Sequence, residues 1–129
     1  MKKKIILIAE DDRELVSVIV TLLRTRGYSY YVAYDGNTAY GILKKKPVDL
    51  ALLDIKIPGI DGLTLCKMIK ETPEWKSIPV IIITGVTKKS GKSDDYWAIR
   101  SGADDFITKP FDPLDLLKRI EEQLRIYEK

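Results

Sequence analysis

Five stretches rich in apolar residues alternate with five segments of helical spacing, and this alternation limits the possible folds more than any other feature. The predicted strands are Ile5–Ala9, Tyr28–Tyr34, Val48–Asp54, Ile78–Thr84 and Asp105–Thr108. The first, third and fourth are mostly apolar up to their last residues, which is typical of parallel strands that are covered on both faces. Because a helix follows each strand, we predict an α/β fold in which a parallel sheet has helices on both faces.

The predicted helices have sequence signals at their ends. Asp12 is a good N-cap for the first helix, and Gly27 ends that helix. Asp112 caps the last helix, with Pro113 in the first helical position. The remaining segments are a turn at Asp35-Gly36 with a short helix after it, a helix over about residues 63–70, a polar and basic loop at residues 85–94, and a helix over about residues 95–101.

The composition excludes several classes of chemistry. The chain has 129 residues and no histidine, so a histidine-based zinc site and a Ser-His-Asp triad are excluded. Its length predicts a single domain over residues 1–129, and its net charge of +3 is too small to indicate nucleic-acid binding. The single cysteine and the lack of a long apolar run favour a cytoplasmic protein without membrane contact.

Acidic and polar residues stand where the predicted strands end. Asp11 and Asp12 follow the first strand, and Asp54 ends the third. Thr84 ends the fourth strand, and Lys109 follows the fifth. In a doubly wound sheet these strand ends meet at one edge, where the functional crevice lies. Crowded carboxylates favour a bound cation, oxygen ligands suit Mg²⁺, and a lysine opposite them indicates phosphoryl transfer to a carboxylate.

Four stretches at these strand ends resemble the receiver domain of two-component response regulators. They are Ile6–Asp12, Leu53–Gly62, Ile82–Gly85 and Gly102–Phe111. Each stretch alone is a weak signal, whereas the four in this order are specific, and the resemblance covers nearly the whole chain. It implies a flavodoxin-like, three-layer doubly wound fold, in which five helices flank a five-stranded parallel sheet of order 2-1-3-4-5.

The resemblance also implies a role for each acidic residue of the site. Asp54 is expected to accept the phosphoryl group. Asp11, Asp12 and Asp54 are expected to bind Mg²⁺, with the backbone carbonyl of Lys56 as a further ligand. Asp12 is expected to cap its helix as well. No other cofactor is implied.

Three further residues are implied to act once the phosphoryl group is in place. Lys109 is expected to bind this group, and the Thr84 hydroxyl to contact it when the domain switches. Phe106 stands where the family keeps its aromatic switch residue, and a place in the core is an equally good interpretation. The family usually holds the bond that corresponds to Lys109-Pro110 in the cis form.

The prediction is therefore a receiver that takes a phosphoryl group from a histidine kinase or a histidine phosphotransfer protein. The added charge is expected to change the surface of the fourth helix, fifth strand and fifth helix, and so to signal to a downstream protein or to an effector domain absent from this sequence. The domain would catalyse only its own phosphorylation and dephosphorylation, so it is not predicted to be an enzyme with turnover. Asp105, Asp115 and Arg119 fit the charge pattern by which similar receivers form homodimers through this surface, whereas Asp95 stands where that pattern has a basic residue.

Three other interpretations are open at this point. The main alternative is a receiver-like binding module that works without phosphorylation. An aspartyl phosphohydrolase usually carries a second aspartate two residues after its nucleophile, where this chain has Lys56. A binder of a flavin phosphate needs a loop rich in serine, threonine and glycine after the first strand, where Glu10-Asp11-Asp12 would repel a phosphate.

Overall fold

A five-stranded parallel sheet forms the middle layer of the structure, a computed structural model that describes residues 3–85, 88–89 and 92–127. Its strands are β1 (Ile5–Ala9), β2 (Ser29–Ala33), β3 (Leu50–Asp54), β4 (Val80–Thr84) and β5 (Asp105–Thr108). Their order across the sheet is β2-β1-β3-β4-β5, and every neighbouring pair is parallel. The predicted fold class and strand order are confirmed.

Five helices cover the two faces of the sheet. They are α1 (Arg13–Thr25), α2 (Gly36–Lys45), α3 (Gly62–Glu71), α4 (Asp94–Arg100) and α5 (Pro113–Tyr127). Successive strand residues point to opposite faces, so Ile6 and Ile8 pack with α1 and α5, while Leu7 and Ala9 pack with α2, α3 and α4. Among the described residues, no helix combines the length and the apolarity needed to cross a bilayer.

The start of α1 and the end of that helix follow the sequence signals, whereas the start of α2 does not. The Asp12 carboxylate caps α1 by accepting hydrogen bonds from two backbone amides of its first turn, and Gly27, with a φ of +78°, follows the last turn. The prediction of a turn at Asp35-Gly36 is wrong, because Asp35 caps α2 and Gly36 is its first residue. Aspartate followed by glycine is a signal that turns and helix N-termini share.

The connection between β4 and α4 contains a short antiparallel pair. Lys88–Lys89 lies beside Lys92–Ser93 within the stretch that was predicted to be a loop at residues 85–94. Residues 86, 87, 90 and 91 of that stretch lie outside the described residues. Helix α4 begins at Asp94, one residue before the predicted start.

The strand order brings the carboxyl ends of β1, β3, β4 and β5 to one edge of the sheet. Ala9 at the end of β1 lies opposite Leu53, so the residues after Ala9 emerge beside Asp54. On the other side of β3, Asp54 lies opposite Ile83 of β4. Thr84 in turn ends β4 next to the end of β5. The sheet therefore brings the ends of these strands, with Asp54 and Thr84, to one edge.

Candidate functional site

Asp54, the last residue of β3, lies at the centre of a cluster of charged side chains. Its Oδ2 lies 2.9 Å from Lys109 Nζ, and its Oδ1 accepts a hydrogen bond of 3.1 Å from the backbone amide of Lys56. Only 5% of the residue is exposed. Both carboxylate oxygens are therefore oriented by protein donors at the edge of the sheet.

Glu10, the first residue after β1, is the second buried carboxylate of the cluster. It is fully buried, and its Oε2 accepts a hydrogen bond of 2.9 Å from the backbone amide of Asp12. Its Oε1 lies 3.1 Å from Lys109 Nζ. Among the buried side-chain polar atoms of the described residues, Glu10 Oε1 is the one that lacks a hydrogen bond of acceptable geometry. A buried carboxylate oxygen with spare bonding capacity is a ligand that a cation can use.

Lys109 is the cation that faces both buried carboxylates. Its backbone amide donates a hydrogen bond of 2.8 Å to the carbonyl oxygen of Thr84, and the Lys109-Pro110 peptide bond is cis, as the resemblance implied. Burial lowers the pKa of Lys109, but the hydrogen bond to Asp54 and the negative charges of Asp54 and Glu10 outweigh burial and raise the pKa above its usual value. The lysine therefore stays charged at physiological pH.

The pKa of Glu10 is raised from 4.5 to about 7. The largest cause is burial, which disfavours the charged form, and the neighbouring Asp54 carboxylate acts in the same direction. The hydrogen bond from the Asp12 amide and the contact with Lys109 lower the pKa, but only in part. Without a further cation, the positive charge of one lysine does not neutralise the negative charges of the carboxylates in this cluster.

Three carboxylates form a group that fits a divalent cation. One oxygen from each of Glu10, Asp11 and Asp54 lies within 4.8 Å of the other two. Oxygen ligands of this kind suit Mg²⁺, and the exposed Asp11 leaves the solvent side open to the waters that Mg²⁺ retains. Together with the spare capacity of Glu10 Oε1, the residues present fit this metal.

Asp12, predicted as a metal ligand, does not belong to this group of three. Its Oδ1 instead accepts hydrogen bonds from the amides of Glu14 and Leu15, which directs the carboxylate toward the first turn of α1. Glu10, rather than the predicted Asp12, is the third carboxylate of this group. The signal for this was present in the sequence, because Glu10 is the first acid after a strand covered on both faces, while a helix cap already occupies Asp12.

The two predicted switch residues lie on β4 and β5. Thr84 is fully buried, and its Oγ1 lies 3.0 Å from the hydroxyl oxygen of Thr108 and 3.3 Å from the carbonyl oxygen of Ile107. Phe106 is half-buried, and its ring packs against the core on the face of α2, α3 and α4. The switching role of each residue stays a prediction.

The pKa of Glu10 predicts how Mg²⁺ binding depends on pH. Mg²⁺ and a proton compete for the Glu10 carboxylate, so we expect Mg²⁺ affinity to fall by about tenfold per pH unit below the pKa of about 7. Calorimetric titration with Mg²⁺ between about pH 8 and pH 6 measures this, a range in which a carboxyl of ordinary pKa does not titrate. Glu10→Gln should bind more weakly and show little dependence on pH. Equal wild-type affinity at both ends of the range would contradict the prediction.

The raised pKa of Glu10 also makes the stability of the metal-free protein depend on pH. The pKa of Glu10 in the folded protein, about 7, lies above its unfolded value of 4.5. The folded state therefore binds the extra proton, and the resulting stabilisation is complete below pH 4.5 and is lost as the pH rises through about 7. Urea denaturation in a chelating buffer should show this loss, and Glu10→Gln should lack it.

Comparison with known proteins identifies the class to which this fold and site belong. A parallel doubly wound sheet with an acidic cluster and a lysine at its carboxyl edge is the arrangement of receiver domains. The family model of the response regulator receiver domain matches residues 6–121. The chain belongs to this family, whose members are the receivers of two-component systems and act as regulators rather than as enzymes with turnover.

Individual relatives agree with this assignment. Response regulator GtcR of Aneurinibacillus migulanus is 43% identical over 122 residues, which are 95% of this chain and 48% of that protein. The receiver domain of a signal transduction histidine kinase from Syntrophus aciditrophicus is 30% identical with a TM-score of 0.90, covering 98% of this chain and 93% of its own. The chain spans about half the length of the curated relatives it matches.

One solved relative bears on the metal. The receiver domain of sensor histidine kinase PA1611 from Pseudomonas aeruginosa is 25% identical, with a TM-score of 0.83. The alignment covers 96% of this chain and 99% of that one. Its structure was determined with a magnesium ion coordinated in the active site cleft.

Proposed function

We propose that Asp54 accepts a phosphoryl group from the phosphohistidine of a sensor histidine kinase or a histidine phosphotransfer protein, in a reaction that depends on Mg²⁺. The observation that carries this proposal is the buried carboxylate of Asp54, with Lys109 Nζ at 2.9 Å and the carboxylates of Glu10 and Asp11 beside it. A nucleophile, a cation for the transferred group and a set of metal ligands are thus together at one edge. Residues 1–129 act as a single receiver domain in this proposal.

Mg²⁺ is held in this proposal by Glu10, Asp11 and Asp54, with the backbone carbonyl of Lys56 as a further ligand. When bound, the metal neutralises charge on the oxygens of the transferred phosphoryl group. The magnesium ion in the active site cleft of the PA1611 receiver supports this choice of metal. Asp12 has a supporting task here, because it caps α1 and its amide holds Glu10 Oε2.

In this transfer, one bond to phosphorus forms as another breaks. One carboxylate oxygen of Asp54 attacks the phosphorus atom, the bond from phosphorus to the donor's imidazole nitrogen breaks, and that nitrogen keeps the electron pair. The product is an acyl phosphate on Asp54. The Lys109 ammonium, already against this carboxylate, pairs with the new phosphoryl oxygens. Water later hydrolyses the acyl phosphate, so the domain promotes only its own phosphorylation and dephosphorylation.

In this proposal, phosphorylation changes the contacts between Thr84 and β5. The Thr84 hydroxyl now contacts Thr108 of β5, and a hydroxyl that turns toward a phosphoryl group on Asp54 gives up that contact. Phe106 lies on the same strand, half-buried, so it can respond to the change. The surface of α4, β5 and α5 then takes a second arrangement, which a downstream protein or an attached effector domain reads.

A homodimer through this surface requires an exchange of ion pairs. Arg119 now pairs within the chain, with its Nη1 at 3.0 Å from Asp105 Oδ1 and its Nε at 3.3 Å from Asp115 Oδ2. Both pairs are partly exposed, where each is worth at most about 1 kcal/mol. Breaking one of them to pair with a second copy therefore costs little.

Phosphorylation by a small donor tests the proposed function. Acetyl phosphate with Mg²⁺ should add one phosphoryl group, as seen by intact-protein mass, and removal of Mg²⁺ with a chelator should prevent the addition. Asp54→Asn should show no addition, whereas Asp49→Asn, next to the opposite end of β3, should behave as wild type. A wild type that binds Mg²⁺ but gains no mass would favour the alternative of a binding module that works without phosphorylation.

A further inference from the structure

The loop that follows Asp54 forms hydrogen bonds with the first two residues of α2. The backbone amide of Gly36 donates a hydrogen bond of 2.9 Å to the carbonyl oxygen of Pro58. The side-chain oxygen of Asn37 accepts a hydrogen bond of 3.1 Å from the backbone amide of Ile60. We call these two bonds and the packing around them the α2–loop contact. The residues of this contact lie 22 or more positions apart in sequence, so the fold and not local geometry brings them together.

Two glycines allow the α2–loop contact to be this close. A Cβ atom on Gly36 would overlap the backbone carbonyl of Ile60. Gly59 has a φ of +75°, and a Cβ atom there would lie 2.6 Å from Asn37 Oδ1. The Asn37 side chain thus fills the space that a larger residue at position 59 would need. Two backbones with a side chain between them leave little room for the loop to shift.

The opposite side of the same loop is anchored to the sheet and to α3. The amide of Ile55 donates to the carbonyl oxygen of Ile83 in β4 at 3.2 Å, and the amide of Gly62 donates to the carbonyl oxygen of Ile55 at 3.0 Å. Lys56 lies between these anchors and the α2–loop contact, and its own amide holds Asp54 Oδ1. The position of the Lys56 backbone is therefore fixed from two sides.

Asn37 itself is held in place by the cap of α2. The Asp35 carboxylate accepts hydrogen bonds from the Thr38 amide at 2.7 Å and from the Thr38 hydroxyl at 2.9 Å. These bonds lower the pKa of Asp35, so the cap stays charged and intact at neutral pH. The Asn37 side chain therefore meets the loop from a fixed helix N-terminus.

We propose that Asn37 is a positioning residue for the metal site: by accepting the hydrogen bond from the Ile60 amide, it fixes the loop that presents the backbone of Lys56 to Asp54 and to the cation. This inference rests on the proposed function, because the Lys56 carbonyl is a ligand only in that proposal. Groups that orient metal ligands from outside the site commonly change metal affinity when they are removed.

The test compares three variants in the whole chain. Asn37→Ala removes the acceptor for the Ile60 amide. Thr38→Ala is the matched control, because it removes only the hydroxyl bond to Asp35 and leaves the backbone amide bond of the α2 cap and the Asn37 acceptor in place. Asn37→Asp keeps an acceptor oxygen, and high salt screens its added charge. For each protein we measure hydrogen exchange at the Ile60 amide and the dissociation constant for Mg²⁺ alone, by titration of backbone amide chemical shifts.

In Asn37→Ala we expect faster exchange at Ile60 and a Mg²⁺ dissociation constant raised by about fivefold, the effect of one net hydrogen bond. Thr38→Ala should change neither value, and Asn37→Asp at high salt should restore both. An unchanged dissociation constant in Asn37→Ala would overturn the inference, as would equal weakening in Thr38→Ala. Both results leave the proposed function intact. A wild type that binds no Mg²⁺ overturns the proposed function and the inference together.

Discussion

Replacing Lys109 with methionine is expected to slow phosphoryl uptake from acetyl phosphate by about 100- to 1,000-fold, the usual cost of removing one group that stabilises transition-state charge. The reason is that the Lys109 ammonium lies 2.9 Å from Asp54 Oδ2, on the carboxylate that accepts the phosphoryl group in the proposed function. The measurement is a time course of intact-protein mass at saturating Mg²⁺. Lys118→Met is the matched control, since Lys118 is an exposed lysine on α5 and should leave the rate unchanged.

The Lys109 variant also needs a check of its fold and of its metal binding. Removal of the ammonium leaves Glu10 and Asp54 without their shared cation, which raises the pKa of Glu10 further. The comparison is therefore made at a pH well above 7 and with Mg²⁺ binding confirmed for each protein. An uptake rate close to that of Lys118→Met under these conditions would show that Lys109 is only a structural ion-pair partner.

Two alanine substitutions in the same helix are expected to change stability in opposite directions. Gly36→Ala should lower the free energy of unfolding by roughly 2–3 kcal/mol, because its Cβ overlaps the backbone carbonyl of Ile60, which cannot rotate away. Gly41→Ala should raise it by about 0.5–1 kcal/mol, because nothing lies within 4 Å of its Cβ and alanine favours the helix. Urea denaturation with a common slope measures both values.

The opposite signs make this pair informative. A general effect of alanine on α2 would change the free energy of unfolding of both variants in the same direction. A neutral Gly36→Ala would show that the helix and the loop do not approach each other as closely as described, and it would remove the basis of the α2–loop contact. A destabilised Gly41→Ala would contradict the open surroundings of that residue.

The sheet could be predicted from sequence because its central strands are buried on both faces. The apolar runs that contain β1, β3 and β4 have no polar face, which is typical of a parallel sheet covered by two helix layers. The strand ends were less predictable. Ile78 and Pro79 were assigned to the fourth strand but precede β4, and proline has no amide to donate to a ladder.

Only those site residues could be predicted whose type and position in the sequence indicate a role. Asp54 ends a strand that is apolar up to that residue, Lys109 follows another strand, and the structure places the two side chains in contact. Glu10 and Asp12 are both acids after the same strand, and the sequence distinguishes them only by their order: Glu10 comes first after the buried strand, and Asp12 stands at the helix cap. Asn37 gave no signal, because its partner is a backbone amide 23 residues away.

The proposal that Asp54 accepts the phosphoryl group is tested most sharply by identifying the residue that carries this group. Borohydride reduces an acyl phosphate to the alcohol with loss of phosphate, so a phosphorylated aspartate becomes homoserine, and peptide mass spectrometry then gives its position. After treatment with acetyl phosphate, we expect homoserine at position 54 alone, and only when Mg²⁺ was present. Reduction at Glu10 or Asp11, or a phosphoryl group on Thr84 that survives borohydride, would contradict it.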